Sequence, residues 1–234
     1  RKQLVYSSCR AESAGKALAD VMPDETVHNI LLTASLCMGF SAFSYEFMPT
    51  GDARRFNYIA MAMTGFCTIG YVSMYNGVGV IEVRGHDVFW MRYLDWAVST
   101  ETFLLGLAML SGADRWDTIF ILAMDAIGVL CALVGALIPA VVAPAYLLGA
   151  VVFAAYNYRL FGTMQVSADR MGAAVSAKYK RLTTQSMAAW CVYPVVYLFC
   201  EMTRALDETT EVALYACCDV IAKCVCCFLL LSQP

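Results

Sequence analysis

The stretch Glu211-Val-Ala-Leu-Tyr-Ala-Cys-Cys-Asp-Val-Ile-Ala-Lys-Cys-Val-Cys-Cys-Phe-Leu-Leu-Leu231 is long and apolar enough to cross a bilayer, yet it carries a lysine at its centre. Lys223 sits too deep for its amine to reach water easily. Asp219 lies four residues earlier, so on a helix the two side chains share a face. A lysine and a carboxylate at bilayer depth each cost roughly 2.5–3.5 kcal/mol even on lenient insertion scales. Such a pair is either a structural ion pair or a reactive amine. In the second case the amine forms a Schiff base with a bound aldehyde and Asp219 is its counter-ion.

The rest of the chain has the composition to match. Hydrophobic residues make up 60% of it and charged residues 15%, with a mean hydropathy of +0.62. Those values describe an integral, multi-pass membrane protein. A net charge of −3 and the lack of a basic run interleaved with aromatics leave no case for nucleic acid. Most of the eleven cysteines fall inside apolar runs, where they act as small hydrophobes. Cys224, Cys226 and Cys227 lack a second cysteine pair or histidines at ligand spacing, so they read as helix packing and no metal site is expected. Residues 1–24 are polar, and the first apolar run is too long for the core of a cleavable signal peptide.

Apolar stretches of about 20 residues fall at 26–48, 56–76, 88–110, 116–138, 140–162, 180–203 and 209–231. The expected fold is therefore an all-α, seven-transmembrane bundle. A domain of residues 25–232 would follow an N-terminal extracellular segment, 1–24. The fourth and fifth runs nearly merge between Pro139 and Pro144. Loops after the first, third and fifth spans, with their flanks, carry Arg54, Arg55, Arg115, Arg159, Arg170, Lys178, Lys180 and Arg181; those after the second, fourth and sixth carry only Arg84 and Arg204. The positive-inside bias puts the C-terminus in the cytoplasm and the N-terminus outside, although Arg1, Lys2, Arg10 and Lys16 in the tail weaken the vote.

The third span, Phe89-Trp-Met-Arg-Tyr-Leu-Asp-Trp-Ala-Val-Ser-Thr-Glu-Thr-Phe103, aligns Arg92, Asp95, Ser99 and Gly106 on one stripe. Arg92 and Asp95, one turn apart, are expected to pair in the low-dielectric interior. With these residues the chain resembles the microbial rhodopsin family, and most closely its bacteriorhodopsin-like branch. Trp90-Met-Arg-Tyr-Leu-Asp-Trp96 is similar to the family's third helix, Asp219-Val-Ile-Ala-Lys223 to its Schiff-base helix, and Trp190-Cys-Val-Tyr-Pro-Val-Val196 to its sixth helix. Tyr71-Val-Ser-Met74 with Gly77 and Gly79 resembles the end of the second helix, and Asp125 falls at the fourth-helix aspartate.

The resemblance implies all-trans retinal bound covalently to Lys223, with Asp95 as primary counter-ion and proton acceptor and Asp219 as second counter-ion. Arg92 would lie on the extracellular side of them, and Tyr93 would point that way. Trp96 and Trp190 would sandwich the polyene beside Tyr193 and Pro194. Thr100 with Asp125 would bond the third helix to the fourth. Glu201 and Glu211 resemble the proton-release pair; their plainer reading is solvated helix-end carboxylates.

Three positions depart from the family pattern. Gly106 stands where an efficient pump has a carboxylate that returns the proton, eleven residues after Asp95 or roughly 16 Å along the axis. The cycle should be slow, with protons returning from solvent or a substitute group, and the glycine could admit water. Glu101 replaces a proline, and at about 120° off the stripe it should face a neighbouring helix or subunit. Tyr197 replaces a pocket tryptophan, and Gly128 stands where a bulky residue often flanks the ring. Glu46 reads as an interfacial carboxylate or a substitute donor. His28 and His86 read as surface histidines, though His86, beside Asp87, could tune release.

The expected protein is not an enzyme but a light-responsive photoreceptor that senses light or gates or regulates ion transport. A slow outward proton pump is the alternative. The last helix also resembles that of algal cation channelrhodopsins. Expected partners are the lipid bilayer, a transported or gating ion (the proton first), further copies in a homo-oligomer, and a fused or associated effector.

Overall fold

The computed structural model describes residues 25–49 and 51–232; the segment 1–24, expected to be extracellular, lies outside them. The first three spans are α1 (Glu25–Glu46), α2 (Arg55–Tyr75) and α3 (Trp90–Ser111). Between the second and third, β1 (Val80–Glu82) and β2 (Asp87–Phe89) form an antiparallel hairpin. The fourth span is α4 (Arg115–Leu137), and the fifth is α5 (Val142–Phe161) continued by α6 (Thr163–Arg170). The sixth runs through α7 (Ala173–Trp190), α8 (Val192–Tyr197) and a π-helical stretch Leu198–Met202. The seventh is α9 (Glu208–Asp219), a second π-helical stretch Val220–Val225, and α10 (Cys226–Leu231).

Successive spans pack side by side, and α9 returns to α1, which closes the ring. Four stretches qualify as spans by length and apolarity alone: Glu25–Glu46, Arg115–Leu137, Pro139–Arg170 and Glu208–Leu231. The other three carry more of the polar groups, including Arg92, Asp95 and Glu101 on α3. Large apolar side chains such as Phe40, Phe43, Leu147 and Val151 are exposed around the outside, where lipid tails would cover them.

Two span boundaries differ from the apolar runs for identifiable reasons. A single 3₁₀ turn, Pro139–Val141, separates α4 from α5, and Pro144 sits in the first turn of α5, where its missing N–H costs nothing. The sixth span starts at Ala173, not 180, because its first turns carry Lys178 and Lys180, which a hydropathy window rejects although the helix continues through them.

The hairpin decides what sits over one end of the bundle. Val83 N–H donates to the His86 carbonyl at 2.8 Å, and the two residues between, Arg84 and Gly85, have φ of 56° and 75°. Positive φ at both central positions marks a type I′ turn, the tight connection that matches strand twist. Arg204 clamps the turn by donating to the carbonyls of Val83 and Arg84, each at 3.3 Å. The hairpin is thus fixed against the end of the sixth span.

Candidate functional site

The second π-helical stretch widens the seventh span around Lys223, a device that recurs at functional positions. The Tyr45 hydroxyl of α1 donates to the Cys224 carbonyl in that widened turn. Lys223 is buried, and its Nζ lies 2.6 Å from Asp95 Oδ2 and 3.1 Å from Asp219 Oδ1. One ammonium between two carboxylates leaves the trio with a net negative charge.

The two carboxylates are held differently. Asp219 receives hydrogen bonds from Tyr71 at 2.6 Å, Tyr193 at 2.7 Å and Trp96 Nε1 at 3.1 Å. Three donors from three different spans fix its position and orientation. Asp95 has the lysine on Oδ2, while its buried Oδ1 makes no hydrogen bond. Gly70 lets α2 approach here: a Cβ on it would lie 3.1 Å from Asp95 Cβ. Asp95 is thus the less anchored of the two carboxylates.

Arg92 does not pair with Asp95 as the one-turn spacing suggests. Its Nη1 lies 2.7 Å from Glu211 Oε1, and its guanidinium stacks 4.2 Å from the Tyr215 ring centre. The arginine side chain points along the helix toward the hairpin, where a carboxylate on another span outcompetes the local one. Tyr93 donates to Glu201 Oε1 at 2.9 Å. Glu201 and Glu211 are therefore buried and engaged, not solvated helix ends.

His86 corrects the reading of a surface histidine. Its Nε2 lies 3.2 Å from Glu211 Oε2, and its side chain is only 13% exposed. The Glu211 carboxylate holds the imidazole above its usual range, against the opposing effect of burial. Nothing local in the sequence marks this contact, because the hairpin turn creates it. His28, by contrast, packs edge-on against Tyr75.

A cavity adjoins Lys223 and runs among α3, α4, α5 and the sixth span. Trp96, Trp190, Tyr193, Pro194 and Tyr197 all line it, as do Thr100, Asp125 and Gly128. Thr100 Oγ1 donates to Asp125 Oδ2 at 2.5 Å, joining α3 to α4. Tyr197 donates to the Ala132 carbonyl at 2.9 Å, so its hydroxyl is used on the wall.

The departures from the family pattern also have places. Gly106 is buried and closely packed: a Cβ there would lie 3.2 Å from Ile59 Cγ2 and 3.6 Å from Leu230 Cδ2. The Ile59 and Leu230 side chains occupy the space beside it. Glu101 is half-buried and faces α4 near Asp125 and the Ala126 backbone, and its Oε1 makes no hydrogen bond. Glu46 pairs with Arg54 at the chain end of the first span, the interfacial arrangement.

Comparison with known proteins agrees with this architecture. Residues 25–233 match the family model described as bacteriorhodopsin-like protein. Sensory rhodopsin-2 of Natronomonas pharaonis is 29% identical over 191 residues, 80% of either chain. The structure of a light-driven proton pump from Coccomyxa subellipsoidea is 25% identical, with a TM-score of 0.85 over 89% of this chain and 96% of that one. That of thermophilic rhodopsin from Rubrobacter xylanophilus is 27% identical, with a TM-score of 0.83 over 88% and 94%. Such a family implies a retinal chromophore, and the cavity suits one: an amine at one end and an aromatic, largely apolar wall beyond it.

Proposed function

Because the chain belongs to the bacteriorhodopsin-like proteins and is an integral, multi-pass membrane protein, we propose that it is a slow-cycling retinal photoreceptor that senses light or regulates ion movement. The reading is carried by one contrast: ion pairs lie at Lys223 and again toward the hairpin, while Ile59 and Leu230 close in on Gly106 and the Asp95 stripe has no carboxylate there. The loop charges argue for the hairpin end outside and the C-terminus in the cytoplasm.

Retinal, linked in its all-trans form through the Lys223 nitrogen, supplies light absorption and the isomerisation that starts the cycle. Trp96 and Trp190, with Tyr193 and Pro194, line the cavity and would hold the polyene. Asp95 Oδ2, 2.6 Å from the Lys223 amine, is the group placed to accept a proton from that nitrogen and would do so once retinal is linked there. Asp219, held by its three donors, is the second carboxylate beside the nitrogen and keeps its place there. Thr100 and Asp125 tie α3 to α4, so a change in the cavity is felt in helix packing. Proton return then waits on the closed half, which lengthens the activated state and suits signalling.

A slow outward proton pump is the second reading, favoured by the outward path: Arg92 with Glu211, and Tyr93 with Glu201, beyond Asp95. Photocurrent recorded against voltage in illuminated cells separates the two. A sensor passes almost none, a pump passes outward current at zero driving force, and a channel reverses at an ion's equilibrium potential. Sustained channel-like current would overturn the pump and make the regulation of ion movement a direct gating.

A further inference from the structure

The hairpin end gathers three metal-ligating side chains from three separate elements. His86 closes the type I′ turn, Glu201 lies in the π-helical stretch of the sixth span, and Glu211 lies in the first turn of α9. One ligand atom from each lies within 4.8 Å of the others, the one such group among the described residues. We propose that His86, Glu201 and Glu211 bind a divalent cation of the zinc and nickel class at this mouth of the bundle.

The donor set fits that class. One imidazole nitrogen with two carboxylate oxygens suits a borderline divalent ion better than calcium or magnesium, which prefer oxygen alone. Each carboxylate is oriented by a partner on one oxygen: Arg92 on Glu211 Oε1 and Tyr93 on Glu201 Oε1. Supports of this kind fix a ligand's direction and raise affinity. Glu211 is completely buried, and its Oε2 makes no hydrogen bond although it faces His86 Nε2 at 3.2 Å. These two atoms already face each other, and an ion between them would replace their mutual contact.

The charge and the required movement are both modest. Two carboxylates and Arg92 leave one net negative charge when the imidazole is neutral, and a cation answers it. Arg204, on the hairpin carbonyls, opposes binding from one side. Ligand distances of about 2.0–2.2 Å place ligand atoms roughly 3–3.5 Å apart; His86 and Glu211 are already at 3.2 Å, so the remaining closure, from at most 4.8 Å, falls to Glu201. His86, the most exposed of the three, is the entry side. The sequence hides the site because its ligands are 115 and 10 residues apart, with no ligand spacing to recognise.

The test is calorimetric titration of the full-length protein in detergent, in the dark, at pH 8, with zinc chloride and then nickel chloride. Accessible thiols are first blocked with N-ethylmaleimide, since Cys37, Cys191 and Cys217 are exposed. We expect one saturable site that His86→Ala weakens by more than about tenfold, the range seen when metal-site groups are removed. His28→Ala, the control at the chain's only other histidine, should leave it unchanged. Glu211→Gln should weaken it too, provided circular dichroism shows a folded bundle; His86→Ala, on the hairpin, decides the matter if it does not. Equal binding by the parent and His86→Ala, or no saturable binding below millimolar cation, overturns the proposal. Because the titration is done in the dark, its outcome is independent of the light-driven function.

Discussion

The two halves of the bundle on either side of Lys223 are built from the same seven spans and have opposite interiors. On the hairpin side the buried groups are ionic: Asp95, Asp219, Arg92, Glu211, Glu201 and the half-buried His86, joined by Tyr71, Tyr93, Tyr193 and Tyr215. On the other side Ile59, Met63, Phe103, Leu104, Leu107 and Leu230 pack into an apolar cluster, with Gly106 admitting the Ile59 and Leu230 side chains. The carboxylates on that side are turned away: Glu101 toward α4, Asp125 onto Thr100, and Glu46 onto Arg54 at the span end. Around Lys223 the ionisable groups therefore lie in one direction, while the other direction offers an apolar cluster with only neutral polar groups such as Thr64, Ser99, Thr183 and Ser186 buried in it. The asymmetry, more than any single residue, is what gives the site a direction.

The largest effect expected is total. Lys223→Ala should abolish visible absorbance after retinal addition, and a persisting colour would break the contrast at its midpoint. Next, Asp95→Asn should shift the absorption strongly to the red or lower the nitrogen's proton affinity toward neutrality, read by spectral titration. An unchanged spectrum and titration would hand the acceptor's role to Asp219 or Glu101. Third, Glu211→Gln leaves Arg92 buried without its anionic partner and should cost about 3–5 kcal/mol, read by thermal or denaturant unfolding. A much smaller loss would show that water reaches the hairpin half freely. Smallest is Gly85→Ala, which puts a side chain at φ of 75° and should cost about 1–2 kcal/mol, loosening the hairpin.

The same division separates what was legible in the sequence from what was not. The apolar half announces itself, because hydropathy and length locate spans wherever few charges interrupt them. Lys223, Asp219 and Asp95 were legible because ionisable groups at bilayer depth are rare, and the resemblance placed Trp96, Trp190 and Thr100 on the same map. The hairpin half was less readable. Its contacts depend on which span a long side chain reaches: Arg92 extends to Glu211, 119 residues away, and passes over Asp95 one turn along. His86 was misjudged for a similar reason, since the Arg84-Gly85 turn sets its position and the sequence around it reads as a loop. Gly106 was right as a missing acid, but whether a glycine leaves a hole or receives a neighbour depends on Ile59 and Leu230, on two other spans.

The measurement closest to the central claim is flash photolysis across pH, following recovery of the visible absorbance. With no positioned acid on the far side of Lys223, recovery should slow about tenfold per pH unit, as direct uptake from solvent requires. Gly106→Asp, made with Ile59→Ala to give the new side chain room, should recover faster and nearly independently of pH, because a positioned acid replaces a bimolecular encounter. Fast, pH-independent recovery in the parent chain would contradict the account: an internal donor would then exist in the half described here as closed.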